Sequence, residues 1–291
     1  TLTPQDARRM YLERRGFTQP VPPPVGEVRG LQTDTGVPLR LYRPQALGVK
    51  PVLVYLHGGG WTMGDLDTHD LLCRQLCAAA DVAVVAVDYR LGPEHRFPAA
   101  VDDCLAARRW VRQQAAGLGL DGTRLALGGD SAGGNLAAVV ALLMRDAGDA
   151  PAACQLLIYP ATDMRCGAPS HTHNGQGYML TSDSVNYFRS QYIADVSQWA
   201  DWRASPLLAP DLSRLPPALV LTAGYDPLRD EGLQYADALS AAGNRVQYIC
   251  FERQIHGFIT MGRVIDEAHT AVALCAAVLR DAFKPRPAAT A

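Results

Sequence analysis

The 291 residues contain no apolar run long enough to cross a bilayer as a helix, and the N-terminus carries no charged-then-apolar leader. We therefore expect a cytoplasmic protein with no stable membrane association. Excess positive charge is missing as well. Lys and Arg number 27 against 29 Asp and Glu, a net charge of −2, so no broad field draws nucleic acid. Charged residues are scarce at 19% against 48% hydrophobic, which excludes a disordered chain and suffices for a large core. Seven cysteines, Cys73, Cys77, Cys104, Cys154, Cys166, Cys250 and Cys275, form no disulfide framework, being odd in number and scattered, and are read as reduced thiols. Cys73 and Cys77 share a helix face, but no second pair completes a zinc site. Asp65, Asp67, His69 and Asp70 match no metal-ligand spacing and are expected to cap the helix that follows, so no metal is expected. No Gly-Lys-Ser/Thr follows a glycine loop and no Gly-x-Gly-x-x-Gly opens a helix, which argues against a phosphate cradle. Internal repeats and low-complexity segments are also absent.

What the chain does contain is a regular alternation. Residues 4–15 predict a helix, with Thr3 as cap, Pro4 in the first turn and an end at Gly16. After a stiff Pro20-to-Pro24 connector, Val25 to Leu31 and Val37 to Arg43 predict two strands. Pro51 to Leu56 is a near-continuous apolar run of the kind a strand covered on both faces needs. Strands and helices then alternate: helix 70–80, strand 82–87, helix 99–116, strand 124–128, helix 135–144 and strand 153–158. Strand 219–223, helix 228–242, strand 246–251 and helix 267–283 follow, before a Pro/Ala tail. Repeated β-α-β units imply a parallel sheet. The alternation breaks once, between Tyr159 and Pro216, where an insertion of that size is expected to form a lid or binding region.

Gly129-Asp130-Ser131-Ala132-Gly133-Gly134 lies between the strand at 124–128 and the helix at 135–144. At such a turn Gly129 and Gly133 can carry no side chain, and the serine hydroxyl is forced clear of the sheet, above a helix N-terminus. A nucleophilic serine needs a base, and the base an orienting acid. Of seven histidines, His57 belongs to a glycine loop, His69 and His95 precede the serine, His171 and His173 lie in the insertion, and His269 sits in the last helix. His256 remains, after strand 246–251, at the strand end where ligands bind in such sheets. Asp226 follows strand 219–223 and is the candidate acid; Asp230 and Glu231 compete but fall within the next helix. The order Ser131, Asp226, His256 is that of α/β-hydrolases. Gly58-Gly59-Gly60 and Ala132 offer backbone N–H groups for the oxygen that becomes negative when an ester is attacked.

His57-Gly58-Gly59-Gly60-Trp61, the stretch from Asp88-Tyr89-Arg90 to Phe97-Pro98-Ala99, the serine turn, Asp226-Pro227-Leu228 and His256-Gly257-Phe258 together resemble the hormone-sensitive-lipase branch of α/β-hydrolases, the family IV carboxylesterases. The resemblance covers nearly the whole chain. It implies a single α/β-hydrolase domain over 1–291, with a mostly parallel eight-stranded sheet, helices on both faces, and a helical cap from about 1–24 and 161–215. It implies a serine carboxylesterase acting on a small-molecule ester of short acyl chain, with no cofactor. Ser131 is then the nucleophile, His256 the base and Asp226 its orienter. Gly59, Gly60 and Ala132 are the oxyanion donors, and Gly58 shapes the loop. Gly92 departs from the alanine that relatives commonly carry, at a place expected to be remote from the chemistry, and the ionic groups of 88–99 are expected to brace the loop near the site. A deacylase or amidase with the same residues, and a non-catalytic binder of small molecules, are the alternative readings. Two further expectations follow from the pattern. The last strand, 246–251, should form a sheet edge apolar on both faces through which a homodimer could pair. The N-terminal helix should dock on Tyr187, Phe188, Tyr192, Ile193, Trp199 and Trp202 to roof the site.

Overall fold

In the computed structural model, which describes residues 2–284, the elements follow one another as α1 (Pro4–Thr18), β1 (Glu27–Gln32), β2 (Pro38–Arg43), β3 (Lys50–Leu56), α2 (Asp70–Ala80), β4 (Ala83–Val87), α3 (Ala99–Gln114), β5 (Leu120–Asp130) and α4 (Ala132–Asp146). Then come β6 (Gln155–Ile158), α5 (Ser170–His173), α6 (Ser182–Tyr192), β7 (Ala218–Tyr225), α7 (Arg229–Ala241), β8 (Val246–Ile255) and α8 (Glu267–Ala282). The expected Pro/Ala tail lies outside the described residues. The strands form one sheet in the order β1-β2-β4-β3-β5-β6-β7-β8. Among the described residues only the pairings of β2, with β1 and with β4, are antiparallel. β3, β4 and β6 are buried at every position, because helices cover both faces: α3, α4 and α7 pack on one side, α2 and α8 on the other. A strand in that place keeps no polar alternation.

Parallel strands end at the same edge of a sheet, and four of them deliver the site. β3 runs out at Leu56 into His57, β5 at Asp130 into Ser131, β7 at Tyr225 into Asp226, and β8 at Ile255 into His256. β5 and β8 are longer than the apolar pattern predicts. The first residues of β5, Leu120 and Asp121, pair with Lys50 and Pro51 ahead of a register shift, and Ile255 pairs with Tyr225 beyond a second shift. Such irregularities let polar residues join a ladder without entering the core. β8 does lie at the sheet edge. Its apolar residues, Val246, Tyr248, Ile249, Cys250 and Phe251, are half-buried, whereas Gln247, Glu252 and Arg253 are exposed. The strand therefore does not present two bare apolar faces.

The largest departure concerns α1. It continues through Gly16 to Thr18, and its carbonyls at Gly16 and Thr18 accept hydrogen bonds from Arg263. Of the aromatic partners expected for it, only Tyr187 and Phe188 face it, across an open groove of about 740 Å³. Tyr192 and Ile193 are buried in the main core instead; the Tyr192 ring stacks on Trp61 at 4.7 Å and meets Phe97 edge-on. Trp199 lies under the guanidinium of Arg189. The apolar stripe of α1 is too narrow to dock by burial, since Ala7 alone is buried while Met10 and Phe17 are exposed. Arginines hold the helix in its place. Arg8 donates to the carbonyls of Thr62 and Gly92 and pairs with Glu94, and Arg15 reaches the carbonyl of Asp67.

Candidate active site

Ser131 has φ 56° and ψ −118°, a left-handed backbone that a β-carbon disfavours. It is held there by crowding. A β-carbon on Gly129 would collide with the backbone of Gly133 and with Leu56 O, and one on Gly133 would collide with Leu56 O. The end of β5, the start of α4 and the end of β3 are thus packed backbone to backbone, and the Ser131 N–H donates to Ile158 O at 2.8 Å. The hydroxyl lies 2.8 Å from His256 Nε2, and His256 Nδ1 lies 2.7 Å from Asp226 Oδ2. Asp226 is fully buried and its other oxygen accepts the Leu228 N–H. The imidazole packs against Tyr159 with ring centres 4.7 Å apart.

The competing acids point elsewhere. Asp230 accepts the Ser170 N–H and pairs with Arg229. Glu231, buried in the first turn of α7, accepts from the N–H groups of Thr162 and Asp163 and lies 2.6 Å from His171 Nε2. Burial pushes its carboxyl above the ordinary range, against the pull of His171. α5 clasps the same segment, as Ser170 Oγ donates to Pro227 O and the Asn174 amide donates to the carbonyls of Gly224 and Asp226. Nothing in the local sequence of 170–174 marks these contacts; only the fold brings the insertion against α7.

Opposite the serine, Gly59 and Gly60 adopt φ 124° and 60°. Among the described residues no acceptor takes their N–H groups, whereas Gly58 donates its own to Asp130 Oδ1 at 3.0 Å. Ala132 opens α4, where first-turn N–H groups lack an intrahelical partner. Glycine is required at all three loop positions. A β-carbon on Gly58 would strike Asp130, one on Gly59 the carbonyl of Met63, and one on Gly60 the ring of Phe188. His57 stacks on Tyr89 at 4.2 Å, and burial, with His69 beside it, pushes its pKa down to about 4, so it stays neutral as a wall of the loop. Tyr89 Oη donates to His57 O at 2.6 Å.

Asp130 joins this loop to the serine turn. Its buried carboxylate accepts from Tyr55 Oη at 2.8 Å and from Gly58 N–H, and lies 3.2 Å from His69 Nε2. Burial works to raise its pKa, but the adjacent His69 ring with its hydrogen bond and the bond from Tyr55 outweigh it, and the carboxyl lies below the ordinary carboxylate range. The acidic cluster before α2 is likewise not a helix cap. Asp65 closes the preceding turn by accepting from the N–H groups of Asp67 and Thr68, Asp67 pairs with Arg40, and Asp70 binds Arg74 and Tyr42. His69, the residue at the cap position, makes no capping bond because its ring is turned to Asp130. Among the described residues no group of three or more His, Cys, Asp or Glu could hold a metal ion.

The 88–99 stretch braces more than the loop. Arg90 binds Asp103 of α3, Glu94 binds Arg8 of α1, and Arg96 donates to the carbonyls of Ser190 and Gln191 at the end of α6. Gly92 is not remote from these contacts. Its N–H donates to Trp61 O, and a β-carbon there would meet the Gln191 carbonyl, so the glycine permits the close approach of α6. Above Ser131 these parts enclose a cavity of about 210 Å³, walled on one side by Gly59, Gly60 and His256 and on the other by Tyr11 and Arg14 of α1, Met63, Met164, Met179 and Phe188.

Asp130→Asn should lower stability at neutral pH by about 1–3 kcal/mol, the scale of a buried hydrogen-bonded charge. Because the folded carboxyl titrates below its unfolded value of about 4, that stability is present above pH 4 and is lost as pH falls through the folded value. Urea unfolding of both proteins from pH 7 downwards should show the gap closing in acid; a gap that widens in acid contradicts the assignment.

The sequence model of the alpha/beta hydrolase fold family matches residues 53–260. The chain is 47% identical over 247 residues to the carboxylic ester hydrolase LipN of Mycobacterium tuberculosis, a match covering 83% of this chain and 63% of that protein, just under two thirds of its length. It is 44% identical over 253 residues to the carboxylesterase NlhH of the same organism, covering 86% of this chain and 79% of NlhH. The crystal structure of EstE1, a thermostable carboxylesterase cloned from a metagenomic library, is 42% identical with a TM-score of 0.93, covering 98% of this chain and 99% of that one. The fold, the family match and these identities agree: the chain belongs to the alpha/beta hydrolase fold family, in its hormone-sensitive-lipase-like branch.

Proposed function

We propose that the protein is a serine carboxylesterase that hydrolyses short-chain acyl esters through an acyl-enzyme. The observation that carries this reading is the hydrogen-bonded run Ser131–His256–Asp226 facing unengaged N–H groups of Gly59 and Gly60. Ser131 Oγ attacks the ester carbonyl while His256 Nε2 takes its proton. Charge moves to the carbonyl oxygen, where the N–H groups of Gly59, Gly60 and Ala132 receive it without reorganising. Gly58, committed to Asp130, holds the loop in shape. The alcohol leaves with the proton from His256, and water repeats the steps on the acyl-enzyme. Asp226 keeps Nδ1 protonated and the ring oriented. The cavity of about 210 Å³ favours short acyl groups, and the names of the relatives, carboxylic ester hydrolase and carboxylesterase, agree with the chemistry. We further infer that residues 1–24 and 161–215 act as a cap, since α1 and α6 supply the outer wall of that cavity.

Ser131→Ala should abolish turnover of p-nitrophenyl esters, by on the order of 10⁴-fold or more, with the circular-dichroism spectrum unchanged. Asp226→Asn should cost about 10³-fold or more, while Asp230→Asn should change the rate little; the reverse result would move the orienting role to Asp230.

Deleting residues 1–19 should leave a folded sheet, because every strand lies downstream, and should lower kcat/KM most for the longer acyl chains that depend on the outer wall. An unchanged chain-length profile in the truncated protein would mean that α1 is not part of a cap.

A further inference from the structure

Five acidic or guanidinium side chains line the cavity above Ser131: Arg14, Asp130, Asp163, Arg189 and Glu231. Four of them have oxygen or nitrogen partners of their own. Asp130 is held by Tyr55, Gly58 and His69, and Glu231 by His171 and two backbone N–H groups. Asp163 is paired with Arg165, while Arg189 donates to Met164 O and Asn186 Oδ1 and is stacked on Trp199. Arg14 differs. The one hydrogen-bond contact of its side chain among the described residues is to the sulfur of Met179 at 3.6 Å, and its guanidinium lies over the Tyr11 ring, 4.9 Å from the centroid.

The contrast holds along α1 itself. Arg8 is anchored on Glu94 and two carbonyls, Arg9 on Asp6 and Glu13, and Arg15 on a carbonyl. Arg14 is the arginine of this helix that is turned to the cavity, and it lines both that cavity and the groove that continues from it between α1 and α6. A guanidinium steadied by an aromatic face and a thioether, with no protein oxygen, keeps its planar fork of donors for something else. In a largely apolar surrounding, a carboxylate or a similar oxyanion satisfies that fork best.

We propose that Arg14 is a substrate-binding residue, and that the esters this protein prefers carry an anionic group at the end remote from the scissile carbonyl. The proposal rests on the esterase reading above. The anion can sit on the acyl limb, as in a dicarboxylic acid hemiester, or on the alcohol limb. Both place one carboxylate against the same guanidinium, and α1 is the element that confers the preference.

The test compares kcat/KM for two matched pairs of esters. One pair is p-nitrophenyl hemiglutarate against p-nitrophenyl hexanoate, and the other is para-carboxymethylphenyl acetate against para-isobutylphenyl acetate. In at least one pair, Arg14→Gln should lower the anionic-to-neutral ratio about tenfold, the scale of one charge-assisted pair. The pair that responds identifies the limb. Arg14→Lys should restore part of the ratio, since it keeps the charge and loses the fork. Arg9→Gln, on the outer side of α1, should leave the ratio at the wild-type value. If the neutral esters are turned over but neither ratio moves in Arg14→Gln, the proposal is overturned and the esterase reading stands. If Arg9→Gln moves the ratio as far as Arg14→Gln, the effect is general helix charge and the proposal is overturned. Failure of the wild type to turn over any of the four esters overturns both.

Discussion

Backbone crowding at Ser131 is the constraint on which the rest of this site depends. The turn forces a left-handed residue between the end of β5 and the start of α4, and the absence of β-carbons at Gly129 and Gly133 lets Leu56 O approach both. The end of β3 is thereby fixed against the turn, and β3 leads directly into the glycine loop. Asp130 then adds a polar tie over the same short distance, accepting the Gly58 N–H from the far side of the reacting position. The serine and the N–H loop that the proposed reading places on either side of one carbonyl are thus positioned by residues adjacent to each in sequence. Positioning of this kind is what electrostatic stabilisation of a transition state requires.

A second set of contacts joins the outer elements to this frame. The stretch 88–99 binds α1 through Glu94 and α6 through Arg96 and Gly92, while Tyr89 holds the carbonyl of His57. On the other flank, α5 and the Glu231–His171 pair fasten the start of the insertion to the segment that carries Asp226. The outer elements are therefore tied to the loop on one side and to the acid on the other. α1 is held mainly by hydrogen bonds and one half-exposed ion pair, with Ala7 its one buried apolar residue.

Much of the fold and of the site was legible in the sequence. Alternating apolar runs and periodic helices locate the strands, and their repeated β-α-β connection makes most pairings parallel, whereas the order, in which β4 precedes β3, does not follow from that pattern. Ser131, Asp226 and His256 could be chosen because each follows a strand end, and the glycines of the loop because only glycine permits such close approach. Asp130 stood inside the serine motif, yet its partners Tyr55, Gly58 and His69 lie far from it in the chain and could not be named. The docking of α1 was misjudged for a related reason: an aromatic cluster at 187–202 reads as one patch, but the fold turns Tyr192 and Ile193 inward and leaves only Tyr187 and Phe188 towards α1.

By itself, then, the sequence located the strands and helices and singled out the candidate reacting groups, because these depend on local periodicity and on steric limits at single residues. The tertiary structure alone decided which polar side chains meet: Asp130 with His69, Glu231 with His171, Arg8 with Glu94, and Arg14 with no protein oxygen among the described residues. Hydrogen bonds and ion pairs are specific only once their partners are in place, and nothing in the local pattern of a charged residue tells whether it will be matched within the chain or left facing a cavity.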